Sequence, residues 1–220
     1  MPALSGSLTY ARLFVEGALP DDFRERFGAA IQLRAMRPLE ADDEALERSG
    51  WCAIGDPFEL DLSYERVFYN DYVNLGLRTD RWSIPAALVR THLKEAEALY
   101  LEKKKRARLS KHERAELKEL VLRRLRKQSV PQVRAVDVSW SLGEGIVRYF
   151  SHSPRAIAGL LDLFGKTFTG LKLVPEAPYT LATRLGLSEA EQEAWDHLEP
   201  IDLTSLAVPL ASETRALVEA

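Results

Sequence analysis

Between Pro85 and Gln128 the chain runs for more than forty residues without an interior proline or glycine. A stretch of that kind folds as helix, and its apolar positions say how many helices. Leu88, Val89, His92, Leu93, Ala96, Leu99 and Tyr100 recur at helical spacing, and Leu117, Leu120, Val121 and Leu125 form a second stripe. Between them, Ser110-Lys111-His112-Glu113 matches the S-x-x-E capping box, which restarts a helix at Ser110. Two helices joined by a tight turn are expected, opened by Pro85 near the first helical position, where its missing N–H has no cost. A first helix from 85 to 107 would be about 34 Å long, so its charged end is expected to project past a small core.

Charge makes this hairpin unusual. Residues 85–128 hold 14 Lys and Arg against 6 Asp and Glu, a net of +8, whereas the whole chain is −3 and the remainder therefore −11. Lys103, Lys104, Lys105, Arg106, Arg108 and Lys111 gather at the turn. Arg114 and Lys118 follow, and Arg123, Arg124, Arg126 and Lys127 close the second helix. Charge runs on long helices are often solvated faces held by opposite charges four residues apart, and Glu102 with Arg106 and Glu119 with Arg123 have that spacing. Like charges also stand at it: Arg90 with Lys94, Lys104 with Arg108, Arg114 with Lys118. A cationic arm on an acidic body suggests a polyanionic partner, nucleic acid first. The alternative is a protein-interaction or self-assembly module whose basic helices dock on acidic surfaces.

On either side the pattern alternates. Residues 7–16 read as a strand, and 21–35 as an amphipathic helix with Asp21 as N-cap and Pro38 beyond its end. The acidic segment LEADDEALERSG suggests a short helix with Gly50 as C-cap, followed by a strand at 51–55. Residues 66–79 read as a half-buried strand, with Val73, Leu75 and Leu77 on one face and Tyr72, Asn74, Gly76 and Arg78 on the other. A strand at 132–141 carries Val136, Val138 and Trp140 on one face, turns at Gly143–Gly145 and returns over 146–150. Ser153-Pro154 opens a helix bearing Ile157, Leu160, Leu161, Phe164 and Phe168, and a strand follows at 171–174. Further on, Ser188-x-x-Glu191 is a second capping box, and the IDLTSLAVPL segment is a candidate edge strand because of Pro209. The expected fold is α+β: antiparallel-rich sheets packed with helices around a long central basic helical hairpin. It is read as one continuous unit made of an N-terminal α+β segment (1–84), the hairpin (85–128), a second α+β segment (129–180) and a C-terminal stretch with a short helix (181–220).

Catalytic signals are weak. His92, His112, His152 and His197 show no metal-ligand spacing, and His92 sits on an apolar helix face. Cys52, the single cysteine, rules out an internal disulfide and reads as a buried residue. Ser139, Ser141 and Ser151 lack a G-x-S-x-G elbow, and Leu142–Gly145 lies between strands, unlike a phosphate loop. Asp42, Asp43 and Glu44 lack a second acidic cluster to complete a metal site, so they read as an exposed loop, with a metal-dependent nuclease as the least favoured alternative. No enzyme, cofactor, metal or small-molecule substrate is expected. No apolar run approaches the roughly 20 residues of a membrane span, and the N-terminus lacks the pattern of a secretory signal. A soluble cytoplasmic protein is expected.

The segment from Ile84 to Phe168 resembles the bacterial recombination-associated RdgC family. The shared order is a proline-led long helix, a basic turn (KKKRARLSKHE), a second charged helix (LRRLRK), an aromatic and aliphatic strand (VDVSW), a hairpin (SLGEGIVRYF), and a helix capped by SP. The likeness extends more weakly to residues 7–180. It implies a non-enzymatic, largely sequence-independent DNA-binding protein that restrains RecA-type recombination, nucleoid-associated, homodimeric, with a positively lined ring around duplex DNA. The choice between duplex and single-stranded DNA is left open. The cations already named would contact phosphates, which position a protein without reading bases. Residues 182–220 show little likeness to the region that completes the family's ring, so an open clamp stands beside the closed ring.

Overall fold

The computed structural model describes residues 9–199. In chain order these form β1 (Ala11–Glu16), α1 (Phe23–Leu33), β2 (Glu47–Cys52), α2 (Tyr64–Val67), β3 (Phe68–Tyr69) and β4 (Tyr72–Arg81). Then come α3 (Ala86–Lys104), α4 (Lys111–Lys127), β5 (Gln132–Ser141), β6 (Ile146–Tyr149), α5 (Pro154–Thr167), β7 (Lys172–Pro175), α6 (Pro178–Leu185) and α7 (Glu189–Asp196). The fold is α+β. The described residues separate into two compact units, with the boundary between Glu176 and Ala177.

In the first unit all strands join one antiparallel sheet in the order β2-β4-β5-β6-β1-β7, with β3 paired to β4. Strand-bearing segments stand before and after the helical hairpin. They merge because β4 and β5, each ten residues long, pair along their whole length from Tyr72↔Ser141 to Arg81↔Gln132. That register puts Val73, Leu75 and Leu77 beside Trp140, Val138 and Val136, all buried, as the alternation predicts.

Helices α1 and α5 cover this face. Phe27 and Ile31 from α1 meet Leu160, Leu163 and Phe164 from α5 over Trp51 and Trp140. The aromatic rings pack tilted or edge-on: Phe164 to Phe168 at 4.5 Å, Phe27 to Phe168 at 5.1 Å, Trp140 to Phe164 at 5.5 Å. Trp51 is fully buried, and its indole N–H donates to Thr167 Oγ1 at 2.9 Å. Thr167 in turn donates to Leu163 O at 2.7 Å.

The opposite face of β4 is not left to solvent. Arg78 and Asp80, two residues apart and so on one side of the strand, form a buried bidentate ion pair with both contacts at 2.7 Å. The loop after β2 folds over them: Pro57 O accepts from Arg78 at 3.1 Å, and the Phe58 ring lies 4.9 Å from the guanidinium. The expected half-buried strand is therefore covered on both sides toward its end, because a loop supplies the acceptors that a buried guanidinium requires.

Residues 40–46 hold turns instead of the expected helix, and Gly50 lies inside β2 instead of capping anything. It is glycine because the backbone of Met36 crosses it: a Cβ there would stand 2.6 Å from Met36 Cα. Of the strand expected over 7–16 only Ala11–Glu16 is strand among the described residues, and α1 lies inside the 21–35 expected; its N-cap is Asp22, one residue later than Asp21, and its side chain makes no capping bond. Helix α1 ends at Leu33, well before Pro38. Pro85 is likewise the N-cap residue of α3 and not its first helical residue.

In the second unit, α7 begins at the capping box read from the sequence, with Ser188 Oγ accepting from Glu191 N at 3.4 Å. Helix α6, with Pro178 in its first turn, was not anticipated. The segment holding Pro209 lies outside the described residues. Among the described residues no helix is long and apolar enough to cross a membrane.

Candidate nucleic-acid interface

Helices α3 and α4 form the hairpin, and its turn is built from the residues that the sequence singled out. Ser110 Oγ accepts from Glu113 N at 3.2 Å while Glu113 Oε2 accepts from Ser110 N at 2.8 Å, a complete capping box. Glu113 does more than cap. Its other oxygen accepts from Arg106 at 2.7 Å and from the Tyr100 hydroxyl at 3.1 Å, tying the end of α3 to the start of α4. The hydrogen bonds from Ser110, helped by those from Tyr100 and the charge of Arg106, pull the Glu113 carboxyl down to about 2. The same contact pushes the Tyr100 phenol above its ordinary range. Lys105 ends α3 in the left-handed conformation, at φ 52°.

The apolar stripe of α3 does not seat it on the sheet: none of its residues is buried, and Leu99 is 67% exposed. In α4 only Val121 and Leu125 are buried, apart from the main core cluster, and Leu120 is 59% exposed. Val89, His92, Leu93, Ala96 and Tyr100 are half-buried where α3 packs on α4, the one neighbour that shields them, while Leu88 and Leu99 stay exposed. The base of the hairpin is held by polar contacts instead. Asp42 lies 3.5 Å from Arg123 and 3.2 Å from Lys127, and Arg126 donates to Asp43 O at 2.8 Å. Asp43 itself pairs with Arg48 and accepts from Glu40 N, and the latter bond chiefly lowers its carboxyl pKa.

These contacts sort the cations that the sequence grouped together. Arg106, Arg114, Arg123 and Lys127 are ion-paired, to Glu113, Glu97 (2.6 Å) and Asp42, and Arg126 is engaged by the Asp43 carbonyl. The partners differ from the i,i+4 pairs expected: Arg106 reaches Glu113, not Glu102, and Arg123 reaches Asp42, not Glu119. Lys103, Lys104, Lys105, Arg108, Lys111, Lys118 and Arg124 are exposed and form no ion pair among the described residues. Lys104 rests over the Tyr100 ring at 6.0 Å.

The structure thus brings Lys103, Lys104, Lys105, Arg108 and Lys111 together at one end, across the turn. Lys118 lies two helical turns beyond Lys111 on the same side of α4, about 10 Å away by helix rise. Arg124 stands apart, toward the base. Concentrated, unneutralised charge on exposed flexible side chains suits a phosphate backbone, which asks for cations without fixed geometry. Asp42 and Glu97, which neutralise part of the basic surface, carried no local signal in the sequence. Glu113 did, as the fourth residue of the capping box.

Elsewhere, Cys52 is fully buried, and burial pushes its thiol up to about 12. Among the described residues no group of three or more His, Cys, Asp or Glu is placed to hold a metal ion. No protein-family model and no curated protein matches the chain.

Proposed function

We propose that this chain is a non-enzymatic, largely sequence-independent DNA-binding protein that holds the phosphate backbone at the turn of the α3–α4 hairpin. The supporting observation is the cluster of Lys103, Lys104, Lys105, Arg108 and Lys111, exposed at one end of the hairpin and unneutralised among the described residues. Lys118 extends the contact along α4, whereas Arg106, Arg114, Arg123, Arg126 and Lys127 hold the hairpin itself. The reading includes the wider role implied by the RdgC resemblance: a cytoplasmic, nucleoid-associated homodimer that restrains recombination on duplex DNA.

Duplex binding measured across a salt series tests it. Log K falls linearly with log salt, with a slope of about −0.9 for each phosphate contacted. Reversing Lys103, Lys104 and Lys105 to Glu weakens binding equally on unrelated sequences and flattens the slope by about 0.9 for each phosphate no longer held. Reversing Arg124 alone has a smaller effect. No binding at low salt, or a loss confined to one sequence, overturns the proposal.

One observation favours a second reading, in which the basic helices dock on acidic protein surfaces. Arg123 and Lys127 already hold Asp42, a carboxylate from a distant part of the same chain. That module associates with itself in a salt-sensitive manner and ignores DNA, so sedimentation with and without duplex separates the two.

A further inference from the structure

The sheet face that carries the core turns polar at its edge. Trp51, Leu77 and Val136 line up across β2, β4 and β5; two residues along, on the same face, Ser49, Thr79 and Arg134 do. The next row is Glu47, Arg81 and Gln132. The first turn of α5 lies over these rows, and between them is a cavity of about 240 Å³. A water molecule takes about 30 Å³ in the liquid, and drug-sized ligands need about 300 Å³ or more. The space suits a small polar group.

Its lining is built for an anion. Tyr149 forms part of the wall; it is fully buried, and its hydroxyl has no hydrogen-bond partner among the described residues. A buried hydroxyl without an acceptor is destabilising, so a group in the cavity that accepts from it would recover that cost. Arg134 also lines the cavity, near enough for its charge to act on the Tyr149 hydroxyl, and its side chain makes no ion pair or hydrogen bond among the described residues. Arg81 and Arg155 share a single carboxylate, Glu47, at 3.7 and 2.7 Å. Three guanidiniums against one carboxylate leave the cavity cationic.

The start of α5 adds to this. Ser153 is the N-cap residue but its side chain makes no capping bond, and no acidic residue occupies the first turn. The Arg155 and Ala156 amides have no acceptor among the described residues, so the positive end of a fourteen-residue helix lies bare at the cavity wall.

We propose that this cavity binds a phosphate monoester group, with Arg134 and the α5 amides holding its oxygens and the Tyr149 hydroxyl donating to one of them. The group comes either from a free phosphate or mononucleotide or from the 5′ end of a nucleic-acid strand. The site is separate from the hairpin turn and does not rest on that surface binding DNA.

Titration calorimetry of the full chain with inorganic phosphate, at ionic strength held constant with chloride, is the direct test. Saturable binding is expected, weakened about tenfold or more by Arg134→Gln, since that change removes a charged hydrogen bond. Tyr149→Phe weakens binding as well and leaves the melting temperature unchanged or higher, because it deletes an unsatisfied hydroxyl while keeping the ring. The absence of saturable binding, or parental affinity in both variants, overturns the proposal. Oligonucleotides with and without a 5′-phosphate, compared with a mononucleotide, distinguish the sources. A gain from the 5′-phosphate that Arg134→Gln abolishes assigns the strand end; phosphate and mononucleotide binding without that gain assigns the free ligand. Charge reversal at Lys103, Lys104 and Lys105 leaves the phosphate titration unchanged, so failure of one site is distinguishable from failure of the other.

Discussion

Trp51, Phe164 and Trp140 in the sheet unit are sealed from water, whereas the nineteen-residue α3 buries none of its side chains. The two regions are held by different physics. Each large side chain in the core contributes about 1.5–3 kcal/mol through removal from water. The hairpin has Val121 and Leu125, a capping box, one carboxylate bridging its turn, and surface ion pairs worth about 0–1 kcal/mol each. The core puts its sequence into apolar alternation. The hairpin puts its own into charge, and leaves Lys103, Lys104, Lys105, Arg108 and Lys111 solvated at its turn.

The contrast is broken most forcefully inside the core. Phe164→Ala removes a ring that packs on Trp140 and Phe168 and should cost about 3–5 kcal/mol, read from denaturant unfolding of the whole chain. Asp80→Asn strands the buried Arg78 guanidinium, with an expected loss of about 3 kcal/mol in the same measurement. Gly50→Ala forces a methyl against the Met36 backbone and should cost about 1–3 kcal/mol. In the hairpin the numbers fall. Ser110→Ala loses a cap worth about 1 kcal/mol, visible as faster amide exchange in the first turn of α4 while global unfolding barely moves. Leu99→Ala, on the exposed side of α3, stays within about 0.5 kcal/mol. A large global effect of Ser110→Ala or Leu99→Ala would show that the two regions unfold as one.

Acid and alkali sharpen the same comparison. Glu113 titrates near 2 in the folded chain, against an ordinary 4.5, so its stabilising charge is fully present above pH 4.5 and is lost as the pH falls toward 2. The hairpin turn should loosen over that interval, seen by exchange at α4. Cys52 is shifted the opposite way, from 9.0 to about 12, mainly by burial. The folded state keeps that thiol protonated, so its contribution holds below pH 9 and declines as the pH rises toward 12. The core weakens in alkali, the hairpin in acid.

The sequence was most legible where the bonds are short-range. The Ser110 and Ser188 boxes were visible because donor and acceptor lie three residues apart, and both form. Strand alternation placed Val73, Leu75, Leu77, Val136, Val138 and Trp140 on their buried faces, since pleating alone sets that period. The segment around Asp42 was harder. Its charges looked like the start of a helix leading to a Gly50 cap, but they turn to meet Arg123 and Lys127, some eighty residues away in the chain. Gly50 itself answers to Met36, a contact that no local propensity records.

By itself, then, the sequence determined the α+β composition, the helical hairpin with its capped turn, and the segregation of positive charge into residues 85–128. These follow from periodicity and from hydrogen bonds within one helical turn. Tertiary structure alone decided that the strands merge into one sheet and that α3 stays unburied. It also decided which cations are consumed in holding the hairpin and which remain exposed at its turn. Burial and ion pairing depend on which distant groups arrive within a few ångströms. Asp42 meets Arg123 and Lys127, and Glu47 meets Arg155, across the two halves of the sheet unit that β4 and β5 join.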